Sequence, residues 1–226
     1  MRTPSLVPTA ARSRRPATRP SLAWWLVLLL AVPIVGYAIA MVVVGAPMYP
    51  PNLAASFLAR PWGIYPHALF GSLALGLGAL QFNRWLLLRH RPIHRALGTV
   101  YVISAVFVGV AGLYMSIYSF GGLVTHFGFG ALALLLLWTT VRAYSAARAR
   151  EIAVHGRWML RSYALIFAAV TLRMELPLLI MAFGDFTPAY QVVAWLSWVP
   201  NILWAEWYTR RTAGVALPAV ERLRVA

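Results

Sequence analysis

Residues 122–146 read GLVTHFGFGALALLLLWTTVRAYSA. At 1.5 Å per residue such a stretch makes a helix of about 37 Å. That is enough to cross a hydrocarbon layer of about 30 Å. Backbone N–H and C=O groups in hydrocarbon find no water, so a segment of this kind must bond to itself as a helix. A membrane strand needs only about ten residues and alternates polar with apolar side chains. This stretch is too long and does not alternate.

The same reading extends in both directions along the chain. Apolar runs of comparable length cover residues 22–45, Ile64 to Leu88, Arg95 to Ser119, Trp158 to Phe183 and Ala189 to Tyr208. The fold class is therefore all-α, a six-helix transmembrane bundle. Its four-helix core, helices two to five, lies within residues 64–183, and the sixth span within 189–209. The first run exceeds the roughly 7–15 apolar residues of a signal peptide, so it is expected to stay as a span. Residues 1–21 and 210–226 read as basic cytoplasmic tails, the first of them disordered. Residues 46–63, with Pro47, Pro50, Pro51 and Pro61, are expected to cap the outer face.

Composition agrees with a lipid environment. The chain is 61% hydrophobic and only 11% charged, against roughly 25% charged for a soluble protein. The net charge of +15 would suggest nucleic acid in a soluble chain. Here the arginines gather at helix ends, which reads as topology control and not as a nucleic-acid surface. Arg84, Arg89, Arg91 and Arg95 fall in one loop, Arg142, Arg148, Arg150 and Arg157 in another, and Arg210, Arg211, Arg222 and Arg224 at the end. Alternate loops carry only Arg60 or no basic residue. The positive-inside rule then places both termini in the cytoplasm of an inner-membrane protein. The bilayer is the first partner, with Trp62, Tyr65, Tyr118 and Tyr190 near one boundary and Trp24, Trp85, Trp158 and Trp207 near the other.

Cysteine is absent, which removes disulfides, thiolate catalysis and iron–sulfur clusters. The acids are Glu151, Glu175, Asp185, Glu206 and Glu221, too few and too scattered for a carboxylate-rich ion site. Histidines remain. His67 and His126 each lie a few residues inside a helix that enters from the outer side, and His94 and His155 lie at the start of helices that enter from the cytoplasm. His90, in Arg89-His90-Arg91-Pro92, reads as an exposed loop residue.

Two histidine pairs on alternate helices of a four-helix bundle suit haem b, which takes axial imidazoles from both faces of one ring. One or two haems are expected, with an inner pair His94 and His155 and an outer pair His67 and His126, about 20–25 Å apart along the membrane normal. Arg95, Arg157 and Arg161 would steady propionates or an anionic donor. Gly71, Gly76, Gly78, Gly98, Gly109, Gly128 and Gly130 would either admit the ring or let helices pack closely. Arg173 and Glu175 lie inside a span, ahead of Pro177, where ionisable groups are costly. At i,i+2 spacing they face different ways.

The motifs His67-Ala68-Leu69-Phe70-Gly71, Gln81-Phe82, His94-Arg95-Ala96-Leu97-Gly98-Thr99-Val100-Tyr101, His155-Gly156-Arg157-Trp158-Met159-Leu160-Arg161-Ser162-Tyr163 and Thr171-Leu172-Arg173 resemble the bacterial membrane-protein family known as domain of unknown function 2306. The resemblance implies a membrane location and a helical bundle, with His67, His94 and His155 at motif positions. In layout, though not residue by residue, the chain is also similar to the cytochrome b-561 family, which implies an inner and an outer haem between alternate helices.

Two functions follow as expectations. One is an electron-transfer protein of the b type, a transmembrane oxidoreductase if an enzyme at all, serving an electron donor and an acceptor. The other is a non-redox multi-pass protein, an assembly partner or small-molecule transporter, with structural histidines. No nucleophile-elbow, zinc-protease or phosphate-loop motif occurs to suggest hydrolysis.

Overall fold

In the computed structural model, which describes residues 20–212, every regular element among the described residues is helical. The basic tails expected at the two ends fall largely in residues 1–19 and 213–226, outside the described residues. α1 (Leu22–Val44) starts at Ser21, whose side chain accepts from the Trp24 N–H at 3.2 Å. That bond satisfies one of the donors a helix start leaves free. α1 ends at Gly45, whose φ of 76° is open to glycine at little steric cost. A 3-10 turn and α2 (Pro51–Leu58) follow, and Tyr37 of α1 donates to the Met48 carbonyl at 2.9 Å.

α3 (Pro61–Gln81) and α4 (Arg84–Arg89) divide the run expected as a single helix over 64–88. The break has a local cause. The Asn83 side chain accepts from the Trp85 and Leu86 N–H groups at 3.0 and 3.2 Å, so it starts a new helix where hydropathy alone shows continuity. α5 (Arg91–Ser116) and α6 (Leu123–Arg148) are long and unbroken. α7 (Ile152–Ile166) and α8 (Ala168–Phe183) form one apolar stretch of 32 residues interrupted only at Phe167.

The expected sixth span is broken. It forms α9 (Phe186–Leu196) and α10 (Val199–Arg211), separated at Ser197-Trp198. Pro200, in the first turn of α10, has no N–H, and its ring clashes with the carbonyl four residues earlier. Among the described residues five stretches are therefore long and apolar enough to span a bilayer unaided: α1, α3, α5, α6 and α7 with α8.

Packing arranges α3, α5, α6 and α7 as a ring. α3 lies against α5 and α7, and α6 lies against the same two helices. The pairs α3/α6 and α5/α7 are thus the diagonals. α1 covers α3, and its Trp24 indole donates to the Ala79 carbonyl at 2.9 Å. α8 and α9 pack together beside α6, and α10 returns onto α7. The interior holds Ala74, Leu75, Ala79, Tyr101, Ala105 and Leu165, each at most 2% exposed. The outside is apolar as well, with Trp62 at 89% and Met181 at 81%. Such a surface would aggregate in water and is the natural face toward lipid.

Candidate functional site

One end of the bundle carries the arginines of α4, α5, α6, α7 and α10, and there His94 and His155 belong to the first turns of α5 and α7. Their relation follows from helix geometry. Tyr101 lies seven residues after His94 and Ser162 seven after His155, two turns along the same helix faces. The Tyr101 hydroxyl and Ser162 Oγ meet at 2.7 Å across the diagonal, and Thr140 of α6 joins Ser162 at 2.8 Å. The two faces therefore oppose each other, and about 10 Å nearer the helix starts the same faces carry the two histidines. His155 and Arg95 are the titratable neighbours of His94.

The two rings differ in their bonding. His155 uses Nδ1 on the Ala143 carbonyl at 2.9 Å, which fixes the ring and leaves Nε2 available. His94 Nδ1 is buried and has no hydrogen-bond partner. One turn along from His94, Gly98 packs against the Gln81 side chain, where an added Cβ would come within 3.1 Å of Oε1. Gln81 Nε2 is likewise buried without a partner. Native structures rarely leave such atoms unpaired, and those that remain often mark a ligand or water. Gly156, beside His155, has open space around it.

The arginines divide. Arg95 is exposed and Arg157 half-buried at this end. Arg161 is committed elsewhere. Its guanidinium bonds Glu206 at 2.7 Å and Thr209 at 2.9 Å, both on α10, and lies over the Trp158 ring at 4.7 Å. Glu206 also takes Arg210 at 2.6 Å. These bonds fasten α10 to α7. His90 is the linking residue between α4 and α5, as expected, but it is half-buried, its ring centroid 4.5 Å from that of Trp85.

At the opposite end the expected pair is not equivalent. His126 places Nε2 at 2.9 Å from the Ser119 carbonyl. That nitrogen donates to the carbonyl, which leaves the ring's free lone pair on Nδ1. His67 of α3 shares a helix face with Gly71, Ala74 and Gly78 and is itself exposed, with Gly112 of α5 beside its ring. The glycines also favour close packing over an open slot. A Cβ at Gly109 would lie 2.7 Å from Leu137, one at Gly128 2.8 Å from the Ala194 carbonyl, and one at Gly78 would collide with the Tyr163 and Tyr101 rings.

Sequence reasoning missed the Tyr101–Ser162–Thr140 network and the orphaned Gln81 amide. The signal for the network was present as the seven-residue offset from each inner histidine. Among the described residues no group of three or more histidine and acidic side chains that could hold a metal ion comes together.

Fold and site define a multi-pass helical membrane protein with a polar seam through its four-helix core. The family described as "Predicted membrane protein (DUF2306)" matches residues 64–209, and the chain belongs to it. Neither the curated proteins nor the solved structures gave a match.

Proposed function

We propose that this chain is an integral-membrane electron-transfer protein of the b type, holding one haem between α5 and α7 with His94 and His155 as axial ligands. The observation that carries this reading is the placement of two imidazoles in the first turns of diagonal helices, one of them with a buried Nδ1 that has no partner. Bound haem supplies a one-electron couple whose potential depends on axial ligands and burial. The chain's own residues do the rest. The Ala143 carbonyl orients the His155 ring through Nδ1, as a ligating histidine is commonly held by its other nitrogen. Arg95 and Arg157 offer cations for propionates, and the Tyr101–Ser162 pair closes the floor of the site. The proposal commits to one haem, at the inner pair, where a buried ring nitrogen lacks a protein partner. The rest of the proposal is six crossings, both termini in the cytoplasm of the inner membrane, and an electron donor on the arginine-rich side.

The competing reading is a non-redox membrane protein. It draws on His126 and Arg161, which both use their polar groups to hold loops and helices together. One experiment separates the two. Protein purified from haem-replete cells is expected to show the split bands of low-spin b haem on dithionite reduction, with about one haem per chain by pyridine haemochrome. His94→Ala and His155→Ala should each remove that same component from inserted protein, and His126→Ala should leave it. A haem content of zero in the parent would sink the cytochrome reading.

A further inference from the structure

Arg142 is exposed on α6, one turn beyond Trp138, which is 53% exposed on the same helix. Arg142 stands six residues before the end of α6 at Arg148, and Trp158 six residues after the start of α7 at Ile152. The two helices pack together and are joined through Ala149-Arg150-Glu151, so these positions are level, about 9 Å in from the arginine-rich end. The Arg142 guanidinium carbon lies 5.3 Å from the Trp158 ring centroid, and that of Arg161 lies 4.7 Å from it. The Trp138 ring meets the Trp158 ring edge-on at 4.9 Å.

The two arginines on that ring differ in their partners. Arg161 bonds Glu206 at 2.7 Å, and Glu206 also holds Arg210 at 2.6 Å. Those are the ion pairs among the described residues, and Arg142 is in neither. Linked by these contacts, Arg142, Arg161 and Arg210 share the one carboxylate of Glu206, which leaves a net charge of +2. Leu134 and Val141 are exposed beside Trp138 on α6, so the charge borders an apolar, lipid-facing surface. A guanidinium does not deprotonate in proteins, and a charge at the edge of a span is expensive. The attraction of an indole face offsets only part of that cost.

We propose that Arg142, with Trp158 and Trp138, is a docking site for one anionic phospholipid of the leaflet at the arginine-rich end. The planar fork of the guanidinium matches two oxygens of the lipid phosphate, and an acyl chain covers Trp138 and Leu134. Charge complementarity selects the occupant. A zwitterionic lipid brings no net charge to a surface of +2, whereas an anionic one does. A soluble anion would leave water for this surface with nothing to cover the exposed indole. The proposal stands apart from any haem between α5 and α7.

The test uses the full chain, purified in detergent with phosphatidylcholine and titrated with phosphatidylglycerol. Native mass spectrometry is expected to count one phosphatidylglycerol per chain, retained in preference to phosphatidylcholine, and the melting temperature to rise saturably with it. Arg142→Gln should weaken that binding about tenfold, the loss of a charge-assisted hydrogen bond, while melting as the parent does in phosphatidylcholine alone. Arg142→Lys keeps the charge without the planar fork and should fall between the two; it carries the test if the glutamine variant misfolds. Arg89→Gln, which removes another exposed arginine at the same end, should leave binding unchanged. Phosphatidylglycerol retained in full by both Arg142 variants overturns the proposal. So does an equal loss in Arg89→Gln, which would mean diffuse attraction to the whole basic end. A parent that retains no phosphatidylglycerol, or that sodium phosphate stabilises as well as the lipid does, overturns it too.

Discussion

Gly78 shows how much of the bundle centre is decided by one missing methyl. An added Cβ would lie 2.8 Å from Tyr101 Cε2 and closer still to the Tyr163 ring. Neither ring is free to swing aside. The Tyr163 hydroxyl donates to the Leu75 carbonyl at 3.1 Å, and the Tyr101 hydroxyl is tied to Ser162. Gly78→Ala is therefore expected to destabilise by about 1–3 kcal/mol, as overpacking does. Gly36→Ala and Gly156→Ala meet nothing within 4 Å and should be neutral or slightly stabilising through helix propensity. Denaturation midpoints for the three variants check this, and equal losses would refute the packing argument. Tyr101→Phe is a milder test. Ser162 keeps Thr140, so only one hydrogen bond is lost, about 1 kcal/mol. At this scale the sequence was half legible. Its histidine spacing pointed to the opposed faces of α5 and α7, but a glycine that admits a flat ligand and one that admits a tyrosine look alike until the neighbours are known.

Between α9 and α10 the helix gives up backbone bonds inside an apolar run, and the surroundings replace them. The Ser197 carbonyl accepts from Thr171 Oγ1 of α8 and from Asn201 Nδ2 at 3.0 Å. The Ala194 carbonyl accepts from the Trp198 indole at 2.8 Å. Non-helical backbone at membrane depth is tolerated only when it is satisfied in this way. Because Thr171 and Asn201 serve one oxygen and also bond each other at 3.2 Å, their effects should not add. Thr171→Val or Asn201→Leu alone leaves the Ser197 carbonyl one partner and is expected to cost about 1 kcal/mol. The double variant orphans the oxygen and should cost about 1–3 kcal/mol more than the sum. A double-mutant cycle by chemical unfolding measures the excess, and additive losses would show that the break is supported elsewhere. The break was recoverable from Val199-Pro200, just as the α3–α4 break was from Asn83. Averaged hydropathy blurs both, because it sums transfer energies over a window while a helix end is set by one side chain or one missing N–H.

Whether the broken pair crosses the membrane decides the topology of the entire molecule. α9 begins near the turn between α5 and α6, where Gln191 donates to the Gly121 carbonyl at 2.8 Å. α10 runs back along α7, where its Glu206 and Thr209 hold Arg161, the tenth residue of that helix. Those two anchors lie at opposite ends of the bundle, and the 26 residues from Phe186 to Arg211 would extend about 39 Å as helix. The pair therefore has both the reach and the attachments of a sixth crossing. The arginines give the direction. Arg84, Arg89, Arg91, Arg95, Arg148, Arg150, Arg210 and Arg211 gather at one end, while the loop and α2 segment at the other has Arg60, stacked on Tyr118 at 4.1 Å. Short loops rich in arginine stay in the cytoplasm. Reporter fusions after Arg89, Glu151 and Thr212 are accordingly expected to fluoresce as cytoplasmic fusions of green fluorescent protein, and a fusion after Asn52 to be active as exported alkaline phosphatase. Cytoplasmic signals after Arg89 and Glu151 with an exported signal after Thr212 would make α9 and α10 a re-entrant pair and reduce the crossings to five. An exported signal after Arg89 would invert the whole molecule, moving the proposed haem site to the outside.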